Sequence, residues 1–123
     1  MSESNKRISQ MFEQMAFLCE LDNQNPFKVR AYKKAASVIS MLSENVLDMN
    51  EEKLREIRGI GRGIVKHINE IKRTQTFGEF EELKSKYPLS LYELLSIEGL
   101  GSKRAKILYE KLGIDSIDSL VKA

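Results

Sequence analysis

The 123 residues contain one cysteine, Cys19, and one histidine, His67. A lone cysteine cannot close a disulfide within the chain, and one residue of each type leaves no zinc-binding set. Cys19 stands among Phe17, Leu18 and Leu21, the setting of a buried, inert thiol. No apolar run approaches the roughly 20 residues that cross a bilayer as a helix. The polar opening from Met1 to Lys6 does not read as a secretory signal. No membrane is expected, and the chain is read as intracellular. Proline is confined to Pro26 and Pro88, and β-branched alternation is missing, so strands have little support. The net charge is only +2, and the total by itself gives no argument for a polyanionic partner.

What is present is a helical pattern. Hydrophobic residues make up 41% and charged residues 31%, the balance of a packed protein rather than a disordered tail. Ile8, Met11, Phe12, Met15, Leu18 and Leu21 form a stripe that ends in the turn Asp22-Asn23-Gln24-Asn25. Asn25 as N-cap and Pro26 at the first helical position open a second helix to about Leu42. Its inner face is predicted to be Phe27, Tyr32, Ala35, Ala36 and Ile39. Asn50 caps a short helix to about Ile57, which Arg58-Gly59-Ile60-Gly61 breaks. A helix follows from Arg62 to about Arg73, with Ile64, Val65, Ile68 and Ile71 inward. Another over Thr76 to Lys86 turns Phe77, Phe80 and Leu83 inward and stops near Pro88. Ser90-Leu91-Tyr92-Glu93 reads as a capping box opening a short helix to about Ile97. The break Glu98-Gly99-Leu100-Gly101 precedes a helix from Ser102 to Leu112, with Gly113 as its stop, and Ser116 can cap a last short helix. The expected class is all-α, a compact domain of about eight helices.

The charges form patches that the whole-chain sum hides. Lys28, Arg30, Lys33 and Lys34 stand in an acid-free stretch from Phe27 to Ser43. Arg55, Arg58, Arg62 and Lys66 are accompanied only by Glu56, and Lys103, Arg104 and Lys106 by no acid. Acids gather in Glu44 to Glu52 and Glu79 to Glu82, where Lys84 and Lys86 read as merely solubilising.

The most informative feature is an internal repeat. Leu54-Arg55-Glu56-Ile57-Arg58-Gly59-Ile60-Gly61-Arg62-Gly63-Ile64-Val65 recurs as Leu94-Leu95-Ser96-Ile97-Glu98-Gly99-Leu100-Gly101-Ser102-Lys103-Arg104-Ala105. Each copy is a short helix, a Gly-apolar-Gly turn and a basic helix start. Such a turn needs backbone angles that glycine adopts without a Cβ penalty. The apolar residue, Ile60 or Leu100, can tuck between the helices. The first amides of the following helix are unpaired and carry partial positive charge. They can meet a phosphate oxygen, with Arg62 and Lys103 or Arg104 adding charge. No base edge is read, so binding is expected to be sequence-independent. A dinucleotide site is disfavoured, because no strand precedes the turn and Ile64 or Arg104 occupies the third-glycine position. A Walker A loop is excluded by its missing Gly-Lys-Ser/Thr. A plain structural corner competes for one copy, but is a poor explanation of two at matched offsets.

Two such turns in this order resemble the helix-hairpin-helix motifs in the amino-terminal part of family X DNA polymerases. The stretch Asn25-Pro26-Phe27-Lys28-Val29-Arg30-Ala31-Tyr32-Lys33-Lys34-Ala35-Ala36 is similar to the opening of that family's lyase domain, in its bacterial and polymerase beta-like branches. The likeness runs from about Phe12 to Ile114. It divides the chain into a lyase-type unit, residues 1–87, with the first hairpin at 54–71, and a second hairpin unit, residues 88–123, with its motif at 91–114. The resemblance implies that the first hairpin holds the downstream strand of a gap, through Gly59, Ile60, Gly61, Arg62, Gly63 and Lys66. The second would hold the upstream strand through Gly99, Leu100, Gly101, Ser102, Lys103 and Arg104. It also implies Na+ or K+ on the main-chain carbonyls of Arg55, Ile57 and Ile60, and of Leu95, Ile97 and Leu100; no cofactor is required.

A 5′-phosphate pocket maps to Lys28, Tyr32 and Arg55, with a further basic member replaced by Gly63 beside Arg62. Tyr32 lies on an inward face, so a core role competes with phosphate binding. The family's Schiff-base lysine falls on His67, and a supporting lysine on Glu79. Imidazole cannot form the iminium that a primary amine forms, and Lys66 points about 100° away on a helix. His67 is therefore expected to be a surface or phosphate-facing histidine, and Lys28 and Lys34 only secondary amines. The polymerase palm would lie beyond Ala123, so polymerisation by these residues alone is not expected. The leading expectation is a non-catalytic module binding gapped, nicked or 5′-phosphate-bearing duplex in base excision or other DNA repair, beside a polymerase or another repair protein. The alternatives are a 5′-deoxyribose-phosphate lyase with a relocated lysine and a helix-hairpin-helix protein-interaction module.

Overall fold

A computed structural model describes residues 2–97 and 99–122. These residues form α1 (Glu3–Leu21), α2 (Pro26–Met41), a 3-10 turn (Val46–Asp48), α3 (Glu51–Arg55), α4 (Arg62–Thr74), α5 (Gly78–Lys86), a 3-10 segment (Leu89–Ser96), α6 (Ser102–Leu112) and α7 (Ile117–Lys122). No strand occurs among them, so the fold is all-α, as the periodicity predicts.

The predicted caps form where they depend on neighbours in sequence. The Asn25 side chain accepts from the Phe27 amide at 2.9 Å, and Asn50 from Lys53 at 2.8 Å. Ser116 Oγ accepts from the Ser119 amide at 3.1 Å, and Gly113 ends α6 at φ +68°. The capping box at Ser90 does not form. Its 3-10 segment starts after Pro88 without a side-chain cap. Ser90 Oγ instead donates to the Asp115 carbonyl at 2.6 Å, and Glu93 accepts from the Ile117 amide at 3.4 Å. Both box residues are spent on fastening the end of the chain to the second hairpin.

α1 and α2 pack antiparallel across the core. Ser9 Oγ donates to the Ala36 carbonyl at 2.7 Å near their middles, while the Phe12 and Tyr32 rings stack at 5.9 Å nearer the turn. Ile8, Phe12, Met15, Leu18 and Leu21 are buried as the α1 stripe predicts. Cys19 is fully buried, and burial pushes its thiol up to about 11, so it stays protonated and inert.

One inward assignment on α2 is wrong. Phe27 is 73% exposed, and Val29 takes the core position instead. The spacing explains it: Val29, Tyr32, Ala36 and Ile39 fall on one helical face, whereas Phe27 is about 160° around the helix from Val29. The Arg30 guanidinium lies 4.5 Å over the Phe27 ring.

Asn5 is 0% exposed and holds the α2–α3 connection. Its Nδ2 donates to the Glu44 carbonyl at 2.8 Å, and its Oδ1 accepts from the Val46 amide at 2.9 Å. Asn5→Ala leaves the buried Val46 amide unpaired and frees the Glu44 carbonyl, and is expected to cost about 1–3 kcal/mol, read by urea denaturation. A loss below about 0.5 kcal/mol, the range of an ordinary surface substitution, would contradict this role.

The core runs without a break from α1 into the second hairpin. Leu91, Leu94 and Ala105 belong to the same buried cluster as α1 and α4, and Phe17 meets Tyr92 edge-on at 5.4 Å. The two hairpins are therefore carried on one packed scaffold, which fixes the distance between their turns.

Candidate nucleic-acid interface

The sequence repeat is a structural repeat at the level of individual hydrogen bonds. In the first copy the Ile60 amide donates to the Ile57 carbonyl at 3.1 Å, and Val65 to Gly61 at 3.0 Å. In the second, Leu100 donates to Ile97 at 3.1 Å, and Ala105 to Gly101 at 3.0 Å. Gly59 and Gly99 have φ of +97° and +80°, which side chains resist. Gly61 and Gly101 are the extended N-caps of α4 and α6, at φ −84° and −95°. Ile60 is buried beneath the first turn and Leu100 half-buried beneath the second.

The second glycine of each turn is not required by the backbone. A Cβ at Gly61 or Gly101 would meet nothing within 4 Å, and neither residue has positive φ. What the missing side chain leaves open is access to the first amides of the next helix. Neither α4 nor α6 has a side-chain cap on those amides. Gly61, Arg62, Gly63 and Lys66 are exposed in the first copy; Gly99, Gly101, Lys103 and Arg104 are exposed in the second.

Basic residues frame both turns. The aliphatic stem of Lys34 lies across the first, since a Cβ on Gly59 would stand 3.3 Å from Lys34 Cγ. Arg104 Nη1 donates to the Gly99 carbonyl at 3.1 Å and so closes over the second. Lys33, by contrast, pairs with Glu20 at 3.1 Å, and the other oxygen of that carboxylate accepts from Ser102 Oγ at 2.9 Å. Glu20 thus ties α2 to the start of α6. Arg62 and Lys103 take part in no ion pair among the described residues.

The residues aligned with the 5′-phosphate pocket and the lyase site come together only in part. Lys28 Nζ is 2.9 Å from Glu79 Oε2, and the Tyr32 hydroxyl donates to the same oxygen at 3.1 Å. The Tyr32 oxygen also lies 3.0 Å from His67 Nε2, a contact whose donor is set by the imidazole tautomer. Arg55 is held by Glu51 within α3 at 3.1 Å instead. His67 is not a surface histidine. It is 8% exposed, because it lies three residues after Ile64 and four before Ile71, on the inner face of α4. Its ring packs 4.4 Å from Phe77, and Nδ1 is 3.4 Å from Glu70. Lys66 points outward. The two positions that depart from the lyase pattern, His67 and Glu79, are thus linked through one tyrosine.

Electrostatics in this cluster follow from burial and from donors. Burial, then the Glu79 charge, pushes the Tyr32 phenol far above its ordinary range, so it remains a hydroxyl donor. Burial raises the Glu79 carboxyl, but hydrogen bonds from Lys28 and Tyr32 outweigh it and hold it below the usual carboxylate range. Glu70 is lowered by the hydrogen bond from the Gly78 amide, made at 3.0 Å, which caps α5 from α4.

A helix-hairpin-helix domain profile matches residues 3–77, and a SAM-like helix-hairpin-helix tandem profile matches residues 91–123. The chain belongs to the helix-hairpin-helix domain family. Within it, the chain is related to family X DNA polymerases: it is 33% identical over 118 residues to the DNA polymerase/3'-5' exonuclease PolX of Bacillus subtilis (strain 168). That match takes in 96% of this chain and 20% of the relative, so the chain spans about a fifth of the relative's length. The matches support DNA binding in a polymerase-related context.

Proposed function

We propose that this chain is a sequence-independent DNA-binding module that grips the phosphate backbone of gapped or nicked duplex, one strand segment at each hairpin, in DNA repair. The observation that carries the reading is the pair of open second glycines, Gly61 and Gly101, which the fold does not require. Their role is explained by a ligand that comes closer to the α4 and α6 amides than a side chain would permit. Arg62, Lys66 and Lys34 supply charge at one turn, and Lys103 and Arg104 at the other. The carbonyls of Arg55, Ile57 and Ile60, and of Leu95, Ile97 and Leu100, are neutral oxygens at the helix ends and turns, and those of Ile57 and Ile97 each accept one amide, from Ile60 and Leu100, which leaves a second lone pair. That donor chemistry fits Na+ or K+, which would brace each turn and add positive charge beside a phosphate. Repair partners of the module would be a polymerase or another enzyme acting at the same gap.

Roughly 4–6 neutralised phosphates give a log–log salt slope of about −4 to −5. Titrating labelled gapped, nicked and intact duplex across salt concentrations tests this; no binding to any of them at low salt would reject the reading. Lyase chemistry has little support beside it. The position of the nucleophile is a buried imidazole, and the amine of Lys28 is committed to Glu79.

A further inference from the structure

Lys28 and Tyr32, both on α2, present an ammonium and a phenol in one place, and His67 of α4 stands behind the phenol, 3.0 Å from its oxygen. Convergent donors of this kind suit an anion. The anion already there is Glu79, in the first turn of α5, with one oxygen shared between Lys28 Nζ at 2.9 Å and the Tyr32 hydroxyl at 3.1 Å. The Gly78 amide that begins α5 is tied to Glu70 at 3.0 Å, so the backbone bearing Glu79 is fixed from α4. The solvent-facing side is a small cavity lined by Asp22, Gln24, Lys28, Glu79, Glu82 and Lys86, three carboxylates against two ammonium groups. Lys86 leans toward Asp22 at 3.8 Å, and the Tyr87 hydroxyl donates to the same Asp22 oxygen at 3.2 Å.

We propose that Glu79 is a built-in anion that fills this donor site and makes the chain indifferent to a terminal phosphate on the strand it holds. The inference rests on the DNA-binding reading and narrows it: the ligand is internal backbone phosphate at the two hairpins, not a phosphorylated strand end. A phosphate monoester entering here would have to displace the carboxylate from Lys28 and Tyr32. Its two negative charges would then face Glu79, Asp22 and Glu82 at close range, where like charges repel. Glu79 is thereby a specificity-determining residue that acts by exclusion. Replacing it with Gln keeps an oxygen to accept from Tyr32, removes the competing charge and releases the Lys28 ammonium.

The test compares a gapped duplex carrying a 5′-phosphate at the gap with the same duplex carrying a 5′-hydroxyl, for the unaltered chain and for Glu79→Gln. The unaltered chain is expected to bind the two within about twofold, and E79Q to prefer the phosphate by about fivefold or more, the scale of one recovered charge-assisted contact. A tenfold phosphate preference in the unaltered chain, or no gain in E79Q, overturns the proposal. Should neither chain bind either duplex, the DNA-binding reading fails, and a second measurement decides the donor site by itself. Inorganic phosphate is titrated while the His67 imidazole resonances are followed by NMR. Saturable shifts in E79Q and none in the unaltered chain support Glu79 as the occupying anion; equal shifts in both, or none in either, overturn it. The folded spectrum of E79Q, recorded in the same experiment, separates loss of the site from loss of the fold.

Discussion

Replacing Arg62 and Lys103 together with Glu is expected to lower affinity for gapped duplex by at least about a hundredfold at low salt. Each side chain is exposed at the first turn of a helix whose amides are open, and neither is engaged in an ion pair among the described residues. A hydrogen bond to a charged group contributes about 1.5–3 kcal/mol, and reversal adds repulsion from the same phosphate, so two reversals exceed about 3 kcal/mol. Stability should hardly change, because exposed charges on helix starts lie outside the core. The salt slope should flatten by about two phosphates' worth, near 2 units, which separates lost backbone contacts from general damage. A protein-interaction module would respond differently, keeping its partner contact while losing nothing measurable on DNA. An affinity within threefold of the unaltered chain would contradict the assignment of these residues.

The second large effect falls on stability. Gly59→Ala places a Cβ 2.8 Å from Val38 Cγ2, at a φ of +97°. Positive φ costs a side chain about 1–2 kcal/mol, and overpacking against α2 about 1–3 kcal/mol more. Gly99→Ala meets nothing within 4 Å at φ +80°, so only the backbone cost applies. Urea denaturation should therefore show a loss of about 2–5 kcal/mol for Gly59→Ala against about 1–2 kcal/mol for Gly99→Ala. The asymmetry follows from what each glycine faces: Gly59 is packed against Val38 and Lys34 of α2, and Gly99 has no such neighbour within 4 Å. Equal losses would show that the first turn does not bear on Val38.

Most of the helices and both hairpins could be read from residues near one another in sequence. Asn25, Asn50, Ser116 and Gly113 cap or stop helices through bonds spanning a few residues, and the repeat exposes itself by its spacing. The polar groups that tie the elements together left no such mark. Asn5 meets Val46 across 41 positions, Tyr32 meets Glu79 across 47, and Ser102 meets Glu20 across 82. Nothing local distinguishes those carboxylates from solvated ones. Glu79 sits in an acidic stretch and reads as surface, yet it fills the one place where Lys28 and Tyr32 converge. His67 turns inward for a related reason. The resemblance implies a surface or phosphate-facing position, but the offset of His67 from Ile64 and Ile71 carries it inward, where its ring nitrogens meet Tyr32, two helices away, and Glu70. Ser90 fits a local capping rule, but its hydroxyl donates instead to the Asp115 carbonyl, 25 positions away, a contact that no local rule marks.

The glycines divide along the same line between fold and ligand. Gly59 and Gly99 answer to backbone geometry. Gly61 and Gly101 do not, and a structural corner would tolerate a side chain at either. Phosphate binding at the turns therefore has a consequence that a plain structural corner lacks.

The decisive measurement is the affinity of a Gly61→Val/Gly101→Val chain for gapped duplex, taken beside its stability. Exchanging two glycine N-caps costs about 1 kcal/mol each at most, so the chain should stay folded. Binding should nevertheless fall by thirtyfold or more, about 2 kcal/mol, because each valine stands where the strand must approach the amides. A folded double variant that binds as tightly as the unaltered chain would show that no phosphate is held at those amides.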